Sequence, residues 1–253
     1  GFLAGHTGRL VAELLRRERM ASDFLWVRGE TRTNLKLVDA AGVVTEVNEP
    51  GPEATPADLE ALIAKLTALG SDVRMLAVGG SALPGVAPED YGRLVRLGRE
   101  QGRRVVLDAD GEALQAGLQE RPYLVKPNAA EAAHLFGAKP GTLSEAAEMA
   151  AALVDHGVEL ALISLGVEGC AFATREQTGW ARSPAVPVRC TVGAGDSLIA
   201  GTVAALLDGR SAPEAVCQGV AVAASAVAQE GPGRPNPQQA QSLLTQITMD
   251  VRP

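Results

Sequence analysis

The residues best suited to chemistry form one short run, Thr191-Val192-Gly193-Ala194-Gly195-Asp196-Ser197. Apolar residues recur after it at three- and four-residue spacing as far as Leu206, which predicts a helix that begins at the glycines. The first backbone N–H groups of a helix lack intrahelical partners and lie at its positive end, so glycines there allow a phosphate to approach closely. The run therefore predicts an anion site with Asp196 beside it.

Asp196 admits two interpretations. A carboxylate repels a neighbouring anion, unless its task is to take a proton from a hydroxyl group that attacks that anion. In that case Asp196 is a general base, and Gly193, Ala194 and Gly195 supply the N–H groups that stabilise the anion. Asp is also a common N-cap residue, so Asp196 could instead cap the helix after a tight glycine loop.

The elements that must position this run alternate between apolar strands and amphipathic helices from residue 55 onward, which predicts a doubly wound α/β domain. Strands are predicted at 75–78, 105–107, 123–125, 160–165 and 170–173. Polar residues stand at or just beyond the carboxyl ends of several of them, namely Ser81, Asp108, Lys126 and Asn128. Open α/β sheets bind ligands at that edge, so we expect these side chains in one cleft.

Two further groups in this domain could contact a phosphate or a metal ion. Asn128 and Glu131 have the spacing of a capping box, yet their oxygen atoms could also hold a water of a magnesium ion, and the two roles can coexist. The turn Gly166-Val167-Glu168-Gly169 could cover the phosphates of a nucleotide, although such glycines taken alone are more typical of a plain turn.

Residues 24–48 have a different pattern, with short alternating segments at 24–27, 31–38 and 43–47 separated by 28–30 and 40–42. This pattern predicts a small antiparallel sheet. Arg32, Asn34 and Lys36 fall at every second position and would share one face of a strand. Two cations and an amide on one face could clamp a phosphate, or could be the solvated face of an exposed strand.

The composition excludes several classes of protein. The 253 residues are 46% apolar and only 3% aromatic, which predicts one globular unit with an Ala-, Val- and Leu-rich core. A net charge of −7 argues against nucleic-acid binding, and no apolar run approaches the length of a membrane span. The three cysteines and three histidines have no metal or disulfide spacing, so we expect a reducing cytoplasm.

Three motifs, in order, carry a resemblance to a known family: Lys126-Pro127-Asn128-Ala129-Ala130-Glu131, Ser164-Leu165-Gly166-Val167-Glu168-Gly169 and the anion-site run. Their order and spacing resemble the ribokinase-like (PfkB) carbohydrate kinases over essentially the whole chain. The segments 30–36, 48–52 and 80–85 resemble the branch that phosphorylates sugar phosphates. Family members begin with further strands and a sugar-binding motif that are not found before Gly1, where a strand end leads into a helix predicted at 7–17, so we expect that strands precede Gly1.

The resemblance implies a three-layer α/β/α sandwich with a mostly parallel central sheet, formed by residues 1–22 and 50–253, and a small β lid at 23–49. It implies ATP and Mg²⁺ as cofactors and a sugar phosphate as acceptor, fructose 1-phosphate first, with tagatose 6-phosphate or fructose 6-phosphate as alternatives. It also implies that two chains could pair through the lid, and that the adenine lies between the Gly166 turn and the helix of 216–228.

The resemblance further implies roles for individual residues. Asp196 is the base, beside the anion site of Gly193, Ala194 and Gly195. The nucleotide contacts are Lys126, Ser164, Gly166, Gly169 and Gly195. The metal contacts are Asn128 and Glu131, and the sugar-phosphate contacts are Arg32, Asn34, Lys36 and Ser81.

Two functions from other classes are compatible with parts of this pattern. One is a catalytically inactive sensor of sugar phosphates or nucleotides on the same fold. The other is a dinucleotide-dependent oxidoreductase, but the chain lacks a Gly-x-Gly-x-x-Gly run after a strand with an acidic residue about twenty positions further on.

Overall fold

The computed structural model describes residues 1–38 and 44–253. The α-helices within these ranges are α1 (Gly5–Arg17), α2 (Pro56–Thr67), α3 (Pro88–Glu100), α4 (Gly111–Gln119), α5 (Ala129–Phe136), α6 (Leu143–Asp155), α7 (Ala194–Leu207), α8 (Ala212–Val227) and α9 (Pro237–Leu244). The strands are β1 (Phe2–Leu3), β2 (Leu25–Trp26), β3 (Asn34–Val38), β4 (Val44–Asn48), β5 (Met75–Gly79), β6 (Arg104–Asp108), β7 (Leu124–Val125), β8 (Leu160–Ser164), β9 (Gly169–Ala173), β10 (Thr178–Arg182) and β11 (Thr248–Arg252).

The central sheet has seven strands in the order β11-β10-β9-β8-β7-β6-β5. Strands β5 to β8 pair in parallel, whereas β9, β10 and β11 each pair antiparallel to the preceding strand. Two successive antiparallel pairings restore the original direction, so β10 runs the same way as β5 to β8. Five of the seven strands therefore share one direction, and the prediction of a mostly parallel central sheet is confirmed.

Helices cover both faces of this sheet. On β6, Val105 and Leu107 belong to an apolar cluster that includes side chains of α3, α4 and α6. Val106, which points to the opposite face, belongs to a second cluster with α7 and α8. Strands buried on both faces read as continuous apolar runs, which is why β6 to β9 were predictable. The three-layer α/β/α sandwich is confirmed.

The helices begin where the sequence provides caps. Thr55 caps α2: its hydroxyl accepts the Asp58 N–H at 3.2 Å, and the Asp58 carboxylate accepts the Thr55 N–H at 2.9 Å. At α8 the Glu214 carboxylate accepts the N–H and the hydroxyl of Ser211 at 2.9 and 2.6 Å. Each pair satisfies N–H groups that the first turn leaves without partners.

Strands β3 and β4 form a separate two-stranded antiparallel sheet, in which Asn34 lies opposite Asn48. The predicted turn at 40–42 and the first residue of the segment predicted at 43–47 lie outside the described residues. The prediction that 24–27 belongs to the same antiparallel sheet is wrong, because β2 pairs in parallel with β1. The N–H groups of Leu25 and Val27 donate to the carbonyls of Gly1 and Leu3.

Two elements of the central sheet had no counterpart in the sequence analysis, namely β10 and β11. They form the antiparallel edge beyond β9. Helix α9 ends at Leu244, and β11 follows it at the edge of the sheet. Among the described residues, none of the helices has the length and apolar character needed to cross a membrane.

Candidate active site

The anion-site residues lie at the start of α7. Gly193 is the N-cap residue and has φ = 78°, a left-handed conformation that favours glycine. A Cβ atom at this position would also lie 2.9 Å from the Cα of Gly233. The Gly233 N–H donates to the Val192 carbonyl at 2.9 Å, so the loop at 231–233 fastens the start of α7.

Asp196 does not cap this helix. The N-cap is Gly193 and Asp196 is the third helical residue, so the interpretation of Asp196 as an N-cap residue is wrong. Its side chain is exposed, and among the described residues its carboxylate accepts no hydrogen bond. The N–H groups of Gly195 and Asp196 likewise have no partner there, as expected for a first turn. An exposed carboxylate and two free donors thus stand side by side.

Lys126 contacts the start of α7 from the sheet. A Cβ atom on Gly195 would lie 3.2 Å from its Nζ. The lysine side chain is only 6% exposed, and its ammonium pairs with Oδ1 of Asp108 at 3.1 Å. Asp108 ends β6 and Lys126 follows β7, the parallel neighbour of β6. The structure therefore brings together two of the residues that the sequence assigned to the edge of the sheet.

Asn128 and Glu131 form a capping box at the start of α5. The Asn128 side chain accepts the N–H groups of Ala130 and Glu131 at 2.8 and 3.0 Å, and the Glu131 carboxylate accepts the Asn128 N–H at 2.8 Å. Burial raises the pKa of Glu131 even though the Asn128 N–H and the charge of Lys126 lower it. Asn128 also bridges to Ser164 at the end of β8, so these polar residues meet at one edge.

A pocket of about 460 Å³ opens beside the start of α7. Gly195 and Leu198 of α7 form one side, together with the turn that follows Ser164. Much of the remaining wall is small and apolar, formed by Pro184, Ala185, Val186, Val188, Ala223, Ala224 and Val227, although Arg182, Ser183 and Thr191 also line the pocket. A concave apolar space with polar groups at one end suits the base of a nucleotide.

The turn between β8 and β9 lies at the rim of this pocket. Residues Gly166–Glu168 form one turn of 3-10 helix, and Gly166 and Gly169 have φ of 57° and 119°. Both values lie in the region that favours glycine. Glu168 pairs with Arg182 at 2.7 Å across the rim.

The residues assigned to a sugar phosphate are less closely grouped. Ser81 is exposed in the loop after β5, next to Gly80, whose N–H donates to the Asp108 carbonyl at 3.1 Å. Asn34 and Lys36 share one face of β3. Arg32 precedes that strand, so the prediction that all three residues share a strand face is wrong for Arg32.

Tertiary hydrogen bonds explain why the strand begins late. Thr31 exchanges backbone and side-chain hydrogen bonds with Ala4, and the Thr33 N–H donates to the Glu49 carboxylate at 2.7 Å. These contacts hold 31–33 outside the ladder of β3 and β4. Arg32 lies instead within electrostatic reach of Tyr91 on α3, where its positive charge opposes the rise that burial causes in the tyrosine pKa.

Two parts of this site are not predicted from the sequence. The first is the loop behind Gly193, whose run Gly231-Pro232-Gly233 is typical of a turn but gives no hint of its partner. The second is the apolar wall at 184–188, which follows no helical or strand period and so gave no signal.

The fold and this site together define a ribokinase-like carbohydrate kinase. The sequence matches the pfkB family of carbohydrate kinases over residues 1–239, and the chain belongs to that family.

Relatives within the family can be compared over nearly the whole chain. The 1-phosphofructokinase of Vibrio cholerae is 33% identical over 251 residues, which are 99% of this chain and 79% of the relative. The 1-phosphofructokinase of Escherichia coli strain K12 is 34% identical over 253 residues, 100% of this chain and 80% of the relative. The structure of phosphofructokinase-2 from Escherichia coli with substrates and products superposes with a TM-score of 0.89 at 27% identity, covering 97% of this chain and 80% of that chain.

Proposed function

We propose that this protein transfers the γ-phosphoryl group of ATP to fructose 1-phosphate and so forms fructose 1,6-bisphosphate. The observation that carries the proposal is the exposed Asp196 carboxylate beside the free N–H groups of α7, next to a pocket of nucleotide size. Phosphoryl transfer depends mainly on positioning and on stabilising charge, which this arrangement can supply. The relatives named 1-phosphofructokinase support the choice of acceptor.

In the proposed reaction, Asp196 takes the proton of a sugar hydroxyl while the hydroxyl oxygen attacks the γ-phosphorus in line. The new O–P bond forms as the bond to the β-phosphate oxygen breaks, and ADP leaves. The free N–H groups of Gly195 and Asp196 stabilise the charge on the transferring group, and the helix already holds them in place. The Ala194 N–H, which the sequence assigned to the same task, donates to the Thr191 carbonyl at 3.2 Å instead. Lys126 adds a positive charge on the same side, because its ammonium contacts Gly195.

We assign the adenine of ATP to the apolar pocket, between the turn with Gly166 and Gly169 and the helix α8. Ser164 and Gly195 line the polar end of that pocket, so phosphates that extend from the base would reach the start of α7. The small side chains on α8 leave room for a flat ring system.

Asn128 and Glu131 would hold Mg²⁺ through its water molecules. Amide and carboxylate oxygens suit this ion, which keeps several of its waters. Glu131 already accepts hydrogen bonds within the capping box, and among the described residues no set of three His, Cys, Asp or Glu side chains converges on one point. Both facts favour contact through water. The bound ion would neutralise charge on the phosphates of ATP.

The sugar phosphate would lie between Ser81 and the sheet of β3 and β4, and its phosphate would contact Arg32, Asn34 and Lys36. In this proposal residues 23–49 contain the lid, and residues 1–22 and 50–253 form the domain that binds both substrates. Charge-assisted hydrogen bonds from the two cations would favour a phosphorylated sugar over a free one.

The lid also carries an apolar face. Leu35 and Leu37 of β3 and Val47 of β4 share this face and are 53%, 59% and 49% exposed. A two-stranded sheet with an exposed apolar face is marginal by itself, so we propose that two chains pair through their lids.

The free state of Cys170, Cys190 and Cys217 supports a reducing compartment such as the cytoplasm.

An assay of ADP release with ATP and Mg²⁺ tests the function. We expect the highest kcat/KM with fructose 1-phosphate, when it is compared with fructose 6-phosphate, tagatose 6-phosphate and free fructose. A preference for either of the other sugar phosphates would select that alternative acceptor. Saturable binding of a sugar phosphate without any ADP release would instead identify a sensor.

A further inference from the structure

A buried ion pair between Lys126 and Asp108 lies against the start of α7, and the proposed reaction uses only its lysine. We infer that Asp108 is a positioning residue. Its carboxylate holds the Lys126 ammonium against Gly195, so that the lysine meets the transferring phosphoryl group in one fixed orientation. This inference rests on the proposed function and adds a residue to it.

Lys126 needs a partner because it is buried. Its side chain is 6% exposed, against 27% for Asp108, and the two groups are 3.1 Å apart. A buried ammonium without a counter-charge is unfavourable. Glu131 also lies within electrostatic reach, but its oxygens accept the backbone and side-chain N–H groups of Asn128 at 2.8 and 2.5 Å. Asp108 is therefore the carboxylate that provides the counter-charge for Lys126.

The backbone of Asp108 is fixed by strands on both sides. On one side the Gly80 N–H donates to its carbonyl at 3.1 Å, and on the other the Lys126 N–H donates to the Leu107 carbonyl at 3.3 Å. A Cβ atom on Gly79 would lie 2.9 Å from the same Asp108 carbonyl oxygen. A carboxylate that projects from such a rigid point can hold a partner accurately.

The place where the ammonium is held is electrostatically unusual. The amino end of a helix carries partial positive charge, so a lysine beside α7 is repelled unless a carboxylate offsets that repulsion. An ammonium has three donors. One of them is used by Asp108, and the others can bind a phosphate at the free N–H groups of Gly195 and Asp196. Without the carboxylate, nothing would offset this repulsion, and the long Lys126 side chain would move away from α7.

A double-mutant cycle tests whether Asp108 acts through Lys126. We expect Asp108→Asn to lower kcat/KM by roughly 10- to 100-fold, the range for a lost hydrogen bond to a charged group. Lys126→Met should lower it at least as much. The double variant should match Lys126→Met alone, because the carboxylate has nothing left to position. If the fold-losses of the two single variants multiply in the double variant, the inference is overturned.

Two further measurements separate this role from others. If Asp108 acted on the metal ion, Asp108→Asn would raise the Mg²⁺ concentration needed for half-saturation, also in the Lys126→Met background, and this result would contradict the inference. Glu120→Gln removes the carboxylate from another ion pair, with Arg96, and should leave the kinetics unchanged.

If Asp108→Asn does not fold, Asp108→Glu keeps the charge and displaces it by one methylene group. The cycle is then run with that variant, which should reduce kcat/KM in the parent and have no effect beside Lys126→Met. Calorimetric titration with ATP repeats the comparison without turnover. If the parent protein turns over normally and the effects of the Asp108 and Lys126 substitutions are independent of each other, only this inference is refuted. If the parent protein phosphorylates none of the sugars, the proposed function itself is refuted.

Discussion

Asp196 has two physical reasons to be acidic. In the first turn of α7 a carboxylate interacts favourably with the helix dipole, and in the proposed reaction it receives a proton. An amide separates these reasons because it keeps the shape and loses the basicity. We expect Asp196→Asn to fold and bind ATP normally, while kcat falls by at least about a hundredfold.

The matched control for this prediction is Asp208→Asn, at the C-cap of the same helix. It makes the same chemical change at the other end of α7 and should leave kcat unaltered. Activity of Asp196→Asn within a few-fold of the parent would show that the carboxylate serves the helix and not the reaction.

Glu131 is the second residue whose structural and chemical roles can be separated. Glutamine can still accept the Asn128 N–H, so Glu131→Gln should retain α5. It should raise the Mg²⁺ requirement more than it changes the KM for the sugar, because the lost charge acts on the metal. The measurement is the rate as a function of Mg²⁺ at saturating sugar. An unchanged Mg²⁺ curve would leave only the capping role.

For single residues, the sequence predicted the environment correctly where the same local pattern determines both the chemistry and the backbone structure. The positions of Gly193 and Asp196 at the start of a helix were predictable, because the glycines and the apolar spacing after them are typical of a helix N-terminus. The contact between Lys126 and Asp108 depends on the register of β6 and β7, which no local pattern specifies. Arg32 was assigned to the wrong environment because Thr31 and Thr33 are bound by residues far away in the sequence.

Among the elements, the sheet of β3 and β4 is the one that the proposed function assigns to the choice of sugar. Removing Arg32 or Lys36 should cost about 1.5–3 kcal/mol in kcat/KM for the sugar phosphate, the range for lost charge-assisted hydrogen bonds. Free fructose carries no phosphate for these cations to bind, so its kcat/KM should fall much less. Parallel assays of both substrates with Arg32→Ala, Lys36→Ala and the exposed control Lys139→Ala check this. An equal loss with both substrates would mean that these cations do not bind the phosphate of the sugar.

The start of α1 gives a prediction about pH. Glu30 accepts the N–H groups of His6 and Thr7, and these bonds lower its pKa from the ordinary value of 4.5. A carboxyl group with a lowered pKa in the folded state stabilises the protein above its ordinary pKa, and this contribution is lost as the pH falls through the folded value.

Glu30→Gln should therefore lower the Tm at neutral pH. The difference from the parent should shrink as the pH is taken below 4.5, because the parent then loses its own advantage. Thermal unfolding of both proteins across this range tests the sign. A difference that stays constant with pH would mean that the charge of Glu30 is not the cause.

Elements were predictable in proportion to their burial. Strands β6 to β9 lie in the interior of the sheet and are rich in buried apolar residues, which makes them recognisable in the sequence. Strand β11 is Thr-Met-Asp-Val-Arg and is largely exposed, which resembles a loop. It becomes a strand because its backbone groups pair with those of β10. The local sequence of β11 does not indicate that partner.

For the whole molecule, the apolar face of the lid predicts an assembly. The parent protein should sediment as a dimer, and Leu37→Asn should sediment as a monomer at the same concentration, because it places an amide in the proposed contact. Leu69→Asn, which changes an exposed leucine outside the lid, should remain dimeric. A parent protein of monomer mass would refute pairing through the lids.

The contact between Gly193 and Gly233 has a consequence for the order in which the protein matures during translation. Synthesis proceeds from the amino end, so α7 has left the ribosome before the residues that fasten its start. Until Gly233 is available to bind the Val192 carbonyl, the left-handed Gly193 lacks its support. A nascent chain can therefore contain Asp196, the proposed base, before the start of α7 is held in place. The loop at 231–233, which is synthesised later, completes that contact.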